Sequence, residues 1–527
     1  MADERQAPFA PTRKVTVTID GHTHEFSAGM TILEACQRVG VKVPFFCWHP
    51  GLSAPAVCRQ CLVEVKGFPK PIPSCYTPVL DKMEVVTNSP KVLDVRRQML
   101  EFTLLNHPID CPICDKAGEC ELQKHYFEWD ARSARNDGGK VRKAKVVDVG
   151  RHIVLDQERC ILCSRCVRVC NEVARQPELT MAFRGDRQIL TTAPGQRLDN
   201  PYSLNTVDVC PVGALTAKDF RFSMRAWELW ATPSVCPGCA TGCNIEIHAA
   251  CNVIRRLVPR PNPVVNKHWM CDEGRFTYQR VHQDRLAAPR LAGATATWEA
   301  ALAQAARVLG EARASSPSTL GVALSAQATN EDLFAFMRLV SEPLRADRLY
   351  LTGEAEGWCD DILVSADKNP NTTGAKLIGG PTLRTAAELK RDMEGGALTT
   401  LLVVGGAGVT GPFDKLSSLL VVTSHQGPLC AAAQVALPLA MWAEVDGTFF
   451  NRQGKLQRVR PAITPAGLSR PGWQIAVGLG RGLGATLAYA DAKQVFAAAC
   501  EKVTLMSGAE WGKPEMPVQL RFANSRG

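Results

Sequence analysis

Long hydrophobic runs are missing from this 527-residue sequence. No stretch reaches about 18 uninterrupted apolar residues, so no membrane-spanning helix is expected. Residues 1–8 lack a basic segment leading into an apolar one, which argues against a secretory signal. No Lys/Arg run is long enough to read as a nucleic-acid-binding arm, and a net charge of +9 is modest for this length. No internal repeat is present beyond recurring cysteine motifs. With 46% hydrophobic and 21% charged residues, the composition is that of an ordinary globular protein. The length allows about three to five domains.

What the sequence does have is cysteine. Fifteen of the 21 cysteines, joined by one histidine, sort into four ligand sets, all before residue 272. Without an export signal this spacing implies a reducing compartment and thiolates rather than disulfides. Each set offers four soft or borderline ligands, three of them close in sequence, the way proteins hold iron–sulfur clusters.

The local pattern places these sets. Val15 to Ile19 alternate at period two and run into Asp20-Gly21, a hairpin signal, with a second strand expected around His24 to Phe26. Thr31 to Glu34 reads as a capping box opening a helix to about Val39. With a strand at Cys61 to Val65, this order suits a small β-grasp domain to about residue 88. From Lys91 to Asn106, Val92, Val95, Met99, Phe102 and Leu105 recur at helical spacing and predict a helix that delivers His107 at its end. Residues 128–146 are charged and Gly-rich and read as a solvated surface loop. Residues 150–230 carry the third set between short helical stretches. Beyond residue 286, strand-like runs at Leu401 to Val404 and Leu419 to Val422 alternate with helical stretches such as Trp298 to Leu309, the pattern of an α/β domain with a largely parallel sheet.

The first set is Cys47-x10-Cys58-x2-Cys61-x13-Cys75, in a loop between β-grasp elements. It suits a [2Fe–2S] cluster; a structural zinc site is the alternative, since Cys58-x2-Cys61 alone would serve zinc. The second is Cys111-x2-Cys114-x5-Cys120, with no fourth cysteine nearby. A [4Fe–4S] cube then needs His107, Asp110 or water as its fourth ligand, and His107 is the favoured one. The third, Cys160-x2-Cys163-x2-Cys166 with a distant Cys210-Pro211, suits another [4Fe–4S] cube. Cys170 has no second cluster to serve and reads as a buried thiol. The fourth, Cys236-x2-Cys239-x3-Cys243-x27-Cys271, favours a cube over zinc because of its x3 gap and long return loop. Cys36 reads as a buried small hydrophobe, and no role is assigned to Cys251. Gly406-x-Gly408-x-x-Gly411 matches the dinucleotide pattern, but Pro412 and Phe413 stand where a helix should open, so a turn is expected.

These motifs together resemble the large iron–sulfur subunit of bacterial respiratory NADH:quinone oxidoreductase, complex I. The resemblance spans about residues 14–285. It rests on Phe46 to Pro50, Cys58 to Glu64, Asn106 to Cys114 with Gly118 to Cys120, Cys210 to Thr216, and Trp227 to Leu229. Residues 286–527 are similar to a shortened form of that family's C-terminal domain, related to molybdopterin oxidoreductases, through Glu444 to Asn451 and Gly454 to Gln457.

The resemblance implies an α+β and α/β multidomain protein. Its parts would be a [2Fe–2S] ferredoxin-like β-grasp domain (13–90), a His-Cys₃ [4Fe–4S] segment (91–149), a [4Fe–4S] ferredoxin-like domain (150–230), a [4Fe–4S] domain of molybdopterin-oxidoreductase type (231–286), and a metal-free α/β domain (287–527). It implies one [2Fe–2S] and three [4Fe–4S] clusters, with the fourth set holding an off-path centre. Electrons would enter at the first set and pass to the third and then to the second. No molybdenum is expected, since the mid-domain Cys359 lacks a convincing ligand context. Nor is a general acid, base or nucleophile. Expected partners are a flavin- and NADH-binding subunit and quinone-side iron–sulfur subunits, at the cytoplasmic face of the bacterial inner membrane, with no nucleic acid and no direct membrane span. The rival readings are a NAD-linked hydrogenase or formate dehydrogenase subunit, and a zinc-stapled scaffold. The first would need more ligands after residue 285, where Cys359, Cys430 and Cys500 remain.

Overall fold

The structure is a computed structural model that describes residues 13–129, 135, 138–511 and 518–519. The chain forms two compact units, one up to Glu228 and one from Leu229 to Gln519. Among the described residues no helix is long and apolar enough to cross a membrane.

The first unit begins with a hairpin of β1 (Lys14–Ile19) and β2 (His22–Ser27), closed by a two-residue turn at Asp20 and Gly21 with positive φ at both. That turn matches the right-handed strand twist, as the sequence pattern anticipates. Helix α1 (Ile32–Arg38) opens on the expected capping box of Thr31 and Glu34. The strands β3 (Leu62–Val65), β4 (Ile72–Pro73) and β5 (Met83–Val86) complete a five-stranded sheet in the order β2-β1-β5-β3-β4, with β1 and β5 parallel. Val17, Ile19, Ile32, Leu33, Val63 and Val85 fill its core together with Cys36, the expected small hydrophobe.

Ser89 caps α2 (Pro90–Leu105), whose end at Asn106 hands the chain to His107. Its buried line is Val92, Arg96 and Leu100, one turn apart, rather than the expected apolar stripe, and Phe102 stays exposed. The reason is Arg96: its guanidinium donates to the Leu62 carbonyl at 3.0 Å and lies over the Trp129 ring, so a charged residue occupies the position facing the β-grasp domain. The described part of residues 128–146 carries no helix or strand before residue 147 beyond the end of the helix at Glu128; residues 130–134 and 136–137 lie outside the described set.

Helix α3 (Glu121–Glu128) precedes that stretch. The third-set region is a three-stranded antiparallel sheet of β6 (Val147–Asp148), β7 (Ile153–Leu155) and β10 (Leu215–Ala217). It also carries the short helix α4 (Arg165–Arg168) and a hairpin of β8 (Leu179–Ala182) and β9 (Ile189–Thr192).

The second unit opens with an antiparallel sheet that no sequence signal above anticipates: β11 (Trp230–Val235), β12 (Asn244–Ala250) and β13 (Val253–Pro259). Cys251 sits exposed in the two-residue turn between β12 and β13. An eight-stranded sheet then builds the main core. Six consecutive strands reaching one edge are parallel, in the order Val435–Pro438, Ser418–Thr423, Thr400–Val404, Leu320–Ser325, Arg348–Thr352 and Arg384–Thr385, as the run of buried apolar residues predicts. Helix Trp298–Ser315 runs past its expected end at Leu309 because Val308, Leu309 and Ala312 continue its buried face. After Gly411 there is only a single turn, Phe413–Lys415, so no helix opens on the glycine motif.

Candidate iron–sulfur centres

The first set closes into one buried group. Cys47 lies in the loop after α1, Cys58 and Cys61 lead into β3, and Cys75 follows β4. Cys47, Cys61 and Cys75 are buried and Cys58 is half-buried. The backbone N–H groups of Phe46 and Cys47 point at Cys58 Sγ from 3.3 and 3.4 Å. Hydrogen bonding among the sulfurs, Cys47 to Cys58 and Cys75 and Cys61 to Cys75, pulls the Cys47 and Cys61 thiols down and pushes Cys58 and Cys75 up. All four can ionise together only if a bound cation compensates them.

The second set is spread over three elements. His107 follows α2, Cys111 begins a one-turn helix (Cys111–Ile113), and Cys120 caps α3, its Sγ accepting from Gln123 N–H at 3.5 Å. Burial drives the His107 imidazole down to about 4, so it is neutral near pH 7, the form in which imidazole ligates. Its Nδ1 is buried without a hydrogen-bond partner. Asp110, by contrast, is committed: Lys145 Nζ stands 2.7 Å and Arg159 Nη2 3.1 Å from Oδ2, and these hydrogen bonds hold the carboxyl below its usual range. Of the side chains open as a fourth ligand, the orphaned imidazole fits and the carboxylate is already spent.

The third and fourth sets each line a closed void. Cys160, Cys163, Cys166 and Cys210 surround one, with Met181, Leu190, Val212 and Leu215 as its apolar wall. Burial pushes the Cys160 and Cys163 thiols up to about 12. Cys170 is fully buried but is not part of that wall; it packs beside Leu179 and Asn200.

Cys236, Cys239, Cys243 and Cys271 surround the other void. Cys236 N–H donates to the Cys243 carbonyl at 2.8 Å, closing the loop between β11 and β12. The motif from Glu444 to Gln457 acts here: Asn451 donates to the Thr241 carbonyl at 3.2 Å and Gln457 to the Gly242 carbonyl at 2.9 Å. Among the described residues no group of three His, Cys, Asp or Glu stands around a single-ion position.

Two glycines let backbone approach sulfur. A Cβ at Gly213 would lie 2.2 Å from Cys114 Sγ, and one at Gly274 would lie 3.0 Å from Cys236 Sγ and 3.3 Å from Cys271 Sγ. The return loop of the third set is therefore packed directly on the second.

Three buried arginines tie the third-set region to its neighbours. The sequence motifs do not announce them, although each stands within two residues of a candidate ligand. Arg159 pairs with Asp110. Arg165 forks onto Glu121 with both contacts at 3.1 Å, donates to the Val209 carbonyl, and lies 5.8 Å from the Phe45 ring centre. Arg168 donates to the carbonyls of Cys47 and Ser53.

A cavity of about 700 Å³ opens at the C-terminal ends of the parallel strands in the second unit, with Gly405, Gly406, Thr423 and Cys430 in its wall. Cys359 is exposed and outside that wall, and Cys500 is half-buried.

Comparison with known families agrees with this geometry. Residues 12–90 match the 2Fe-2S iron-sulfur cluster binding domain. Residues 96–135 match the NADH-ubiquinone oxidoreductase-G iron-sulfur binding region, and 150–216 the ferredoxin-like domain of NADH-quinone oxidoreductase subunit 3. The G-type subunit of NADH-quinone oxidoreductase from Streptomyces coelicolor is 37% identical over 337 residues, 63% of this chain and 40% of that protein. Over the matched segments the chain is similar to G-type NADH-quinone oxidoreductase subunits. The 75 kDa subunit of NADH-ubiquinone oxidoreductase from Reclinomonas americana is 42% identical over 54% of this chain and 42% of that one. The alpha subunit of NADPH-Fe(3+) oxidoreductase from Geobacter sulfurreducens is 36% identical over 62% of this chain and 39% of its own length. The chain spans about two fifths of the length of these curated relatives. Residues 230–283 match the molybdopterin oxidoreductase Fe4S4 domain, and 410–481 match molybdopterin oxidoreductase.

Proposed function

We propose that this chain is the electron-relay subunit of an NADH:quinone oxidoreductase. It would take electrons from a flavin- and NADH-binding subunit and deliver them to a quinone-side iron–sulfur subunit. The observation that carries this reading is the gathering of buried sulfur: the third and fourth sets each line a void with four thiols, and the sulfurs of the first set hydrogen-bond one another.

Iron–sulfur clusters, when bound, supply one-electron storage. The ligands would be Cys47, Cys58, Cys61 and Cys75 for a [2Fe–2S] group. Three [4Fe–4S] groups would take His107 with Cys111, Cys114 and Cys120; Cys160, Cys163, Cys166 and Cys210; and Cys236, Cys239, Cys243 and Cys271. No molybdenum is part of this assignment. The chain's own residues set the ligand charge, donate hydrogen bonds to sulfur, exclude water with apolar walls, and place fixed positive charge between stations. A neutral His107 in place of a thiolate removes one negative charge and raises the potential of its centre.

The order first, third, second is supported by contacts. Arg168 joins the third-set helix to the Cys47 loop, and Arg159 and Arg165 join it to the second set. The domain limits given above and a peripheral position at the cytoplasmic face of a bacterial inner membrane, without contact to nucleic acid, belong to the same proposal. A second reading, the same relay delivering NADPH electrons to a ferric acceptor, is favoured by the likeness to the Geobacter subunit.

The test is anaerobic analysis of iron, sulfide, zinc and molybdenum, with low-temperature EPR after dithionite. The expected result is about 14 irons per chain, the content of one two-iron and three four-iron clusters, with no zinc or molybdenum. About ten irons with one zinc would remove the fourth centre. A colourless, EPR-silent chain would overturn the relay. Reduction of quinone rather than ferric citrate by the assembled enzyme separates the two acceptors.

A further inference from the structure

Arg168 is a buried cation whose partners are all on other stations of the first unit or on its own helix. It leaves the C-terminal end of α4, two residues beyond Cys166, with 8% of its surface exposed. One guanidinium nitrogen donates to the carbonyl of Cys47, a first-set residue, and another to the carbonyl of Ser53 in the same loop. Nε lies 3.4 Å from Ser164 Oγ. Four residues on, Glu172 closes the clamp from the other side: its carboxylate accepts from Ser53 N–H at 2.9 Å and from the Ser53 hydroxyl. One guanidinium, two residues beyond the third-set Cys166, thus holds the backbone of the first-set loop at Cys47 and Ser53.

We propose that Arg168 is the positioning residue of the handover between the first and third centres. It holds the Cys47 loop against the helix of Cys166 and, by its fixed charge, stabilises the reduced state of both centres. This inference rests on the relay reading. A reduced centre carries one more negative charge than its oxidised form, so a cation held in a low-dielectric site favours reduction at each sulfur group within its reach. The carbonyls of Cys47 and Ser53 accept two donors from one planar group, a geometry that a lysine ammonium does not reproduce. The second set has its own cation, Arg159, paired with Asp110.

The experiment is an EPR-monitored redox titration of the full chain carrying its clusters, native and with Arg168→Met, Arg168→Lys or Glu172→Gln. Iron content is measured on each. In Arg168→Met the midpoints of the first and third centres both shift downward while the His-Cys₃ centre keeps its own. Arg168→Lys restores most of both shifts. Glu172→Gln moves both the other way, by less, since that carboxylate is exposed and opposes the guanidinium. Native-like midpoints in Arg168→Met, or a shift at only one of the two centres, would overturn the proposal. If Arg168→Met loses iron, the sign of the Glu172→Gln shift decides: upward at both centres supports the shared charge, and no movement rejects it. Absence of the first or third signal from the native chain would instead sink the relay reading itself.

Discussion

Arg159 and Asp110 form an ion pair, Nη2 to Oδ2 at 3.1 Å, and each stands immediately before a candidate ligand, Cys160 and Cys111. The pair links two stations and also removes Asp110 from competition for iron. Asp110→Asn is therefore expected to keep the second centre, with full iron content, and to raise its midpoint because a nearby negative charge is gone. His107→Ala is expected to lose or convert that centre, and His107→Cys to keep it at a lower midpoint. EPR redox titration of the three variants is the check. Loss of the centre in Asp110→Asn with retention in His107→Ala would make the carboxylate the ligand.

Gly213 packs its backbone against Cys114 of the second set. An added methyl would stand 2.2 Å from Cys114 Sγ, far inside van der Waals contact, whereas at Gly274 the nearest sulfur is 3.0 Å away. Overpacking a well-filled site costs about 1–3 kcal/mol. Gly213→Ala is expected to displace Cys114 and reduce the His-Cys₃ EPR signal, leaving the fourth centre intact. Gly274→Ala should act in the reverse sense and more weakly. Equal signals from native and Gly213→Ala chains would show that the loop yields without disturbing the sulfur.

Asn451 is 1% exposed and holds the fourth-set loop from a distant part of the sequence. Its Oδ1 also accepts from the N–H groups of Gln453 and Lys455, each at 3.0 Å. Asn451→Ala strands the buried Thr241 carbonyl and two N–H groups of the turn, a cost of about 1–3 kcal/mol. The expected outcome is a lower denaturation midpoint and a broadened or missing fourth-centre signal, with the first three centres unchanged. Uniform loss of all four signals would contradict so local a role.

The hairpin, capping box and parallel strands were legible in the sequence because each is a local signal. The Asp20-Gly21 turn, the Thr31 cap and the buried run from Thr400 to Val404 involve residues adjacent in the chain. What escaped was non-local. Arg96 on the buried line of α2 reads as a surface residue until the Leu62 carbonyl is placed opposite it. The arginines 159, 165 and 168 read as ordinary charges until Asp110, Glu121 and Cys47 are brought to them. The antiparallel sheet of the fourth segment was hidden by proline at position 233 and by cysteines whose spacing speaks of ligands rather than strands. Asn451 and Gln457 stood out only as part of a resemblance, and their hydrogen bonds reach across about 210 residues.

The buried thiols make stability depend on both pH and iron. In the iron-free chain, burial holds Cys160, Cys163 and Cys271 up to about 12 and Cys120 up to about 11. An unfolded thiol ionises near 8.5. Above that value the unfolded chain gives up protons that the folded chain retains, so unfolding becomes more favourable as pH rises. The stability is complete below the unfolded value and falls across roughly pH 8.5 to 12, by up to about 1.4 kcal/mol per pH unit for each such thiol. Iron reverses this dependence for the ligands below the unfolded value, because bound sulfurs are thiolates in the folded state whereas the thiols freed on unfolding take up protons. Cys36 and Cys170, both pushed up to about 12 and outside every ligand set, keep a residual slope in either form. Denaturant midpoints measured under reducing, anaerobic conditions from pH 7 to 10 should therefore stay level and then fall above about pH 8.5 for the iron-free chain, and rise from pH 7 toward about 8.5 for the loaded one. Parallel curves would mean that the thiols assigned here to iron stay protonated when iron is present, and the ligand assignment would fail with them.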